Sequence, residues 1–300
     1  MVKESVGVRS QELGARNWEQ RTRNRGTGEQ GTAEQATRTE EPFGHDWMRI
    51  DVALLPQQRL GNSGSVCVVV DVLRASSSVV TLLEHGASSV IATGNIDEAR
   101  ALHSRLAGYL LCGERGGLPP PGFDHGNSPS EFSQLALGRR GAILATSNGT
   151  RLLAELADAP AVLVGCLLNR TAAAKAALGI ARERALNVTV VCSAAHGGTK
   201  FVLEDALGAG AIVDAAVIAA PEFDAGDAAR FARDAFVAAT RDLPAAVASA
   251  YHAKELIEAG FEEDVAYCAR LDVSTIVPSL RRGEDGLLTL LPFAARLPTT

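Results

Sequence analysis

From residue 48 onward, short apolar runs alternate with polar, alanine-rich stretches. The runs Ile50–Leu55, Val66–Val72, Ser89–Ala92, Leu110–Cys112, Ala142–Thr146, Ala161–Val164 and Val188–Cys192 are nearly continuous and mostly β-branched. Strands that bury both faces read this way, because helices cover each side of the sheet they form. Between the runs, residues 77–85, 96–106, 150–157, 169–185 and 227–239 carry helical patterns. The alternation predicts an α/β fold: a three-layer α/β/α domain with a largely parallel or mixed sheet. The stretches VVTLLEHGASSVI (79–91) and FVLEDALGAGAIV (201–213) each read as a helix ending near a Gly-Ala pair with an apolar exit. They mark either two related halves or two helix ends that merely look alike, since glycine ends many helices.

Residues 1–47 break the pattern. They are rich in Arg, Glu, Gln, Thr and Gly, and they lack apolar periodicity. Such a segment cannot bury enough surface to offset its ordering entropy. It is expected to be a disordered N-terminal extension, or the product of an upstream start, since MRIDVALLP at 48–56 looks like a natural first strand. The α/β domain then spans 48–300.

Composition narrows the partners. The chain is 46% hydrophobic and 21% charged, ordinary for a globular protein, with a net charge of −6. That balance argues against nucleic acid or an anionic membrane as partner. A small anionic substrate remains open, because clustered arginines and backbone N–H groups bind anions inside acidic proteins. The five cysteines are widely spaced and form no CxxC. Buried reduced thiols in a reducing cytoplasm are expected. No run approaches the ~20 apolar residues of a membrane span, and the N-terminus has no signal-peptide core. Base rates favour a homodimer.

Ligands of open α/β sheets bind beyond the carboxyl ends of the strands, and five polar clusters lie where the apolar runs end. VVVDVLRASSS holds Asp71, which burial requires to be paired, metal-bound or protonated, together with Arg74 and Ser76–Ser78, expected to cap the next helix. LCGERGG places Glu114 and Arg115 between glycines. GFDHGNSP is a long polar loop containing Asn127 and Ser128. ATSNGTR, with Ser147, Asn148, Gly149 and Thr150, has the hydroxyls, glycine and helix start of a phosphate cradle without being a Walker A loop. Lys200 leads to Glu204 and Asp205, one of them a plausible Mg²⁺ ligand. A second acidic pair, Glu263-Asp264, reads as a solvated surface pair. Carboxylates, arginines and anion-binding turns on one sheet edge suit phosphoryl chemistry.

At these residues the chain resembles the 2-phosphosulfolactate phosphatase family. The resemblance runs in order through VVVDVLRASSS, LCGERGG, GFDHGNSP, ATSNGTR, VGCLLNRTA and FVLEDALGAG, and covers nearly everything after residue 47. It implies a Mg²⁺-dependent phosphatase of coenzyme M biosynthesis, converting phosphosulfolactate to sulfolactate and phosphate. It also implies a site that includes Asp71, Arg74, Glu114, Arg115, Asn127, Ser128, Ser147, Asn148, Thr150, Asn169, Glu204 and Asp205. The expected metal set is Asp71 with one or more of Glu114, Glu204 and Asp205, with Arg74 and Arg115 gripping the substrate and the 146–151 turn holding phosphate oxygens. A metal-activated water is favoured over an aspartyl-phosphate at Asp71, because position 73 is Leu and the Asp-x-Asp spacing is missing. Two rivals stand beside this reading. One is a cysteine-dependent, isochorismatase-like amidohydrolase using Cys166. The other is a non-catalytic binder of an anionic metabolite.

Overall fold

The computed structural model describes residues 48–58 and 64–294, so the expected extension at 1–47 lies outside the described residues. Along the chain run β1 (Arg49–Ala53), β2 (Ser65–Val70), α1 (Ala75–Glu84), β3 (Val90–Thr93), α2 (Ile96–Arg105), β4 (Leu110–Gly113), α3 (Pro129–Phe132), β5 (Ala142–Ala145) and α4 (Gly149–Glu155). There follow β6 (Ala161–Gly165), α5 (Arg170–Arg184), β7 (Asn187–Cys192), α6 (Leu203–Ala219), β8 (Asp224–Ala225), α7 (Asp227–Ala239), α8 (Leu243–Ala248), α9 (Tyr251–Glu258), α10 (Glu262–Cys268), β9 (Pro278–Arg282) and β10 (Leu288–Pro292). All seven expected strands form, and the fold is α/β.

The strands make one mixed sheet in the order β4-β5-β3-β10-β9-β6-β2-β7-β1-β8. The block β6-β2-β7-β1-β8 is parallel throughout. So is β4-β5-β3. The β9–β10 hairpin joins them with three antiparallel pairings, which sets the two blocks in opposite directions. In a flat sheet their carboxyl ends would lie on opposite edges. Instead both blocks pack on the same two helices. One core unites Val69 and Val164 of the first block, Ala92 and Leu144 of the second, Leu82 of α1, and Leu152 of α4. Accumulated strand twist allows the sheet to wrap that pair, and the exits of β2 and β5 meet.

Helices α5 and α6 cover the other face of the first block in a second core, with α7 packed beside α6 and against β1. Helix α6 is buried almost all round, from Glu204 to Ala216, as a helix between a sheet and other helices must be. The two stretches that resembled each other in sequence take different structures. In 79–91 the Gly-Ala pair follows the end of α1, whereas in 201–213 both Gly-Ala pairs lie inside α6. The glycines in α6 serve close packing rather than a helix end, so the repeat reading of these segments falls.

The sharpest such contact is at Gly210, where an added Cβ would lie 2.0 Å from the Ala232 carbonyl oxygen in α7. Gly210→Ala should therefore force α6 and α7 apart and cost about 3 kcal/mol or more. Gly179, exposed in the middle of α5, has nothing within 4 Å of its Cβ position. Gly179→Ala should stabilise by roughly 0.8–1 kcal/mol through helix propensity. Chemical denaturation of the two variants should give opposite shifts; shifts of the same sign would refute the packing account.

Candidate active site

Asp71 follows β2 directly and is buried. Its Oδ1 accepts the N–H of Ala75 at 3.0 Å, the first residue of α1, and its Oδ2 accepts the Ser193 hydroxyl at 2.9 Å. The carboxylate thus does the work expected of Ser76–Ser78. Those serines lie within the first turn, where Ser76 Oγ accepts the Asp71 N–H and Ser77 Oγ donates to the Val72 carbonyl. Gly149 closes the other side: a Cβ there would sit 2.9 Å from Asp71 Oδ2 and from the Ala75 methyl. That contact joins the exits of β5 and β2.

Asp205, in the first turn of α6, is 2% exposed and faces the same serine. Its Oδ1 accepts the Val72 N–H at 2.8 Å. Its Oδ2 lies 3.1 Å from the Ala194 nitrogen and 3.3 Å from Ser193 Oγ. A hydroxyl carries a single proton, so Ser193 donates to one of its two acidic neighbours at a time. A proton held on Asp205 completes the chain Asp205 to Ser193 to Asp71. Burial, then the charges of Asp71 and Glu204, push Asp205 well above the usual carboxylate range against the pull of its two N–H donors. Burial likewise raises Asp71, partly offset by its Ala75 and Ser193 hydrogen bonds and by the nearby His252.

Glu204 is 1% exposed. Its Oε1 meets His252 Nδ1 of α9 at 3.2 Å, while its buried Oε2 has no partner. Burial works to lower the His252 imidazole, but the bond to Glu204 and the charges of Glu204 and Asp71 outweigh it and raise the pKa.

The second block contributes Glu114, after β4. Its two oxygens accept the N–H groups of Ser147 at 2.9 Å and Gly117 at 3.0 Å. Both atoms therefore tie the β4 and β5 exits together, and, after burial, the Glu114 charge is a further influence that raises the pKa of Asp71. Arg115 is exposed and donates to the carbonyls of Glu114 and Gly94. Ser147 is exposed, and Asn148 Oδ1 accepts the Gly197 N–H at 3.2 Å. Thr150 is buried and donates to the Thr146 carbonyl, so its hydroxyl belongs to the helix turn.

Arg74 pairs with neither Asp71 nor a solvent-facing anion. It is 4% exposed, bonded to Asp264 Oδ2 at 2.7 Å and to the Gly117 carbonyl at 2.8 Å, with Phe261 stacked 4.4 Å from the guanidinium. Asp264 Oδ1 accepts the hydroxyls of Ser128 and Ser130. Asp264 is thus no surface residue, unlike exposed Glu263; neighbours on a helix point about 100° apart, so one can be buried and the other solvated. Ser128 also caps α3 ahead of Pro129. Beside it Asn127 is buried with Oδ1 unpartnered. Asn169 lies elsewhere. Fully buried, it accepts the Cys166 N–H and donates to the carbonyls of Val164 and Ile276, holding the β6 exit.

Two residues of this constellation, Ser193 and His252, escaped the sequence reading, and a third, Asp264, was read as a solvated surface residue. Ser193 sits at a strand exit and was open to the same rule that found Asp71. His252 and Asp264 lie on helices late in the chain, with no local signal. The cysteine rival also fails here. Cys166 is fully buried, and burial pushes its thiol up to about 11, which leaves no thiolate at neutral pH.

The family described as 2-phosphosulpholactate phosphatase matches residues 52–283. A protein of Deinococcus radiodurans named "Probable 2-phosphosulfolactate phosphatase" is 36% identical over 249 residues, covering 83% of this chain and all of the relative. Proteins of the same name from Pseudothermotoga lettingae and Carboxydothermus hydrogenoformans are 38% and 34% identical, covering 76% and 77% of this chain and 94% and 92% of theirs. The chain belongs to the 2-phosphosulfolactate phosphatase family.

Proposed function

We propose that the protein is a phosphoric monoester hydrolase that converts 2-phosphosulfolactate, or a phosphoester of the same small anionic type, to the hydroxy acid and phosphate. The observation that carries this reading is the burial of Asp71, Asp205 and Glu204 at one sheet edge, in a chain whose relatives bear that name. A non-catalytic binder of anions has no use for such a concentration of negative charge. Burial of the five cysteines favours a reducing cytoplasm. Among the described residues no helix is long and apolar enough to cross a membrane.

The donor chemistry suits Mg²⁺. Glu204 Oε2 is an unpartnered buried acceptor, and burial followed by the charge of Asp71 raises the pKa of Asp205. Among the described residues no three His, Cys, Asp or Glu side chains converge into a ready-made metal cage. Mg²⁺ does not require one, because it commonly takes one or two carboxylates and completes its shell with water and substrate oxygens. Asp71 and Asp205 would hold it, with Glu204 alongside. When bound, it would offset the clustered charge and draw phosphoryl oxygens to the site. The protein's own groups do the rest. Ser193 fixes the two aspartates, Arg115 and the exposed Ser147 hydroxyl flank the entry for phosphate, and Asn127 Oδ1 offers an acceptor to a substrate hydroxyl or to water. A water nucleophile suits the geometry better than Asp71, whose oxygens are pinned by Ala75 and Ser193 and walled by Gly149.

Arg74 acts as a post under this site. Asp264→Ala would leave its guanidinium buried without a counter-ion, at a cost of about 3–5 kcal/mol. The urea midpoint should drop accordingly, and an unchanged midpoint would return Arg74 to the role of substrate clamp.

Chelation should abolish phosphate release and Mg²⁺ should restore it. Asp71→Asn should lower kcat by on the order of 10³-fold, about 4 kcal/mol, while the circular dichroism spectrum stays native. Normal turnover in that variant would remove Asp71 from the chemistry.

The aspartates also set a pH dependence. Their folded pKa values lie above the unfolded ones, so the folded state holds the extra proton, and the stability they contribute is lost as pH rises through the folded pKa. Holding Mg²⁺ at this pair would require that proton to leave. The rise in Tm on adding Mg²⁺ should therefore be larger at pH 8 than at pH 5. An equal or smaller rise at pH 8 would argue against binding at this pair.

A further inference from the structure

Beside the carboxylates lies a recess the proposed chemistry does not use. The loop leaving β7 and the start of α9 enclose a cavity of about 220 Å³, lined among others by Lys200, Phe201, Leu203, Tyr251 and His252. A space of that size admits a short-chain acid. One of its lining residues, His252, touches the carboxylate cluster. Leu203 immediately precedes Glu204, and His252, which lines the recess, holds Glu204 through Nδ1. Its walls are mostly apolar and aromatic, with Phe201 44% and Tyr251 64% exposed, beside the polar His196, Ser249 and Glu255.

The recess carries its own cation. Lys200 Nζ stands 4.1 Å from the centre of the Tyr251 ring, and among the described residues no carboxylate pairs with it. A cation–π contact holds an ammonium in place without neutralising it. Glu255 also lines the recess, but it is exposed and solvated. A positioned ammonium beside apolar walls, in a recess whose His252 also touches Glu204, is suited to an anionic group on a short carbon chain.

We infer that this Lys200–Tyr251 recess seats a second anionic group of the substrate, a sulfonate or carboxylate, and so selects phosphoesters of small acids over simple alkyl phosphates. The inference rests on the phosphatase reading and names the specificity element of that site. Lys200 determines which ester is taken, and the aspartates remain responsible for turnover.

The test compares two substrates, phosphosulfolactate and ethyl phosphate, with Mg²⁺ and the full chain. The measured quantity is the ratio of their kcat/KM values. Lys200→Ala should lower that ratio by about tenfold or more, as expected for loss of a charged hydrogen-bond partner, chiefly through KM for the acidic ester. Lys200→Arg should retain most of it. An unchanged ratio in Lys200→Ala, with an active wild type, overturns the recess and leaves the phosphatase reading intact. Should the wild type release phosphate from neither ester, that reading fails, and binding of sulfolactate by calorimetry judges the recess alone. About tenfold weaker binding in Lys200→Ala supports it; equal binding, or none to the wild type, overturns it.

Discussion

Two aspartates forced to share one serine hydroxyl are the costly element around which this structure is arranged. Burial denies Asp71 and Asp205 most of the water that would stabilise their charge, and the charge of Asp71 further raises the proton affinity of Asp205. The surroundings offset this with backbone donors. Ala75 begins α1 at Asp71, Val72 and Ala194 point their N–H groups at Asp205, and the N-terminal turn of α6 lends its dipole. All these donors come from the exits of β2 and β7, neighbouring strands near the middle of the parallel block. A glycine at 149 then lets the other block close over the pair without displacing it.

A second buried charge pair does a different job. A buried salt bridge is weak evidence for net stability, because desolvation consumes much of the attraction. The value of Arg74 with Asp264 lies in what it connects. One guanidinium reaches the Gly117 carbonyl, whose own N–H is held by Glu114, and one carboxylate gathers Ser128 and Ser130. The β2 exit, the β4 exit, α3 and α10 are thereby fixed to one another by side chains that satisfy each other's hydrogen-bonding capacity.

The strands that sequence reading found are those buried on both faces, where a continuous apolar run is the whole signal. The hairpin escaped it. Strand β9 reads PSLRR and β10 reads LTLLP, with exposed ends and prolines at their margins. Their strand character comes from pairing with β6 and β3, distant in sequence. Site residues divide the same way. Asp71, Glu114 and Ser147 were legible because they follow strands. The roles of Arg74 and Asn169 were not, since an arginine or asparagine at a strand exit looks the same whether it faces a ligand or holds a buried loop. Asp264 was misread because its neighbour Glu263 is solvated, and adjacency on a helix says nothing about which of two acids turns inward.

The site is therefore assembled from three stretches of chain that meet only in the finished fold. The first parallel block provides the acidic pair and its serine. The second provides Glu114, Arg115 and Ser147, and reaches the first only because the hairpin reverses it and α1 and α4 give both blocks a common core. The helices after residue 242 provide His252 and Asp264, one bonded to Glu204 and the other to Arg74. Each later stretch brings a cationic or anionic partner that an earlier one lacks. Until α9 and α10 dock, Glu204 lacks its imidazole and Arg74 its counter-ion. The electrostatics that make the site costly also couple its completion to the docking of the last helices, so the reaction centre and the C-terminal part of the fold are stabilised together.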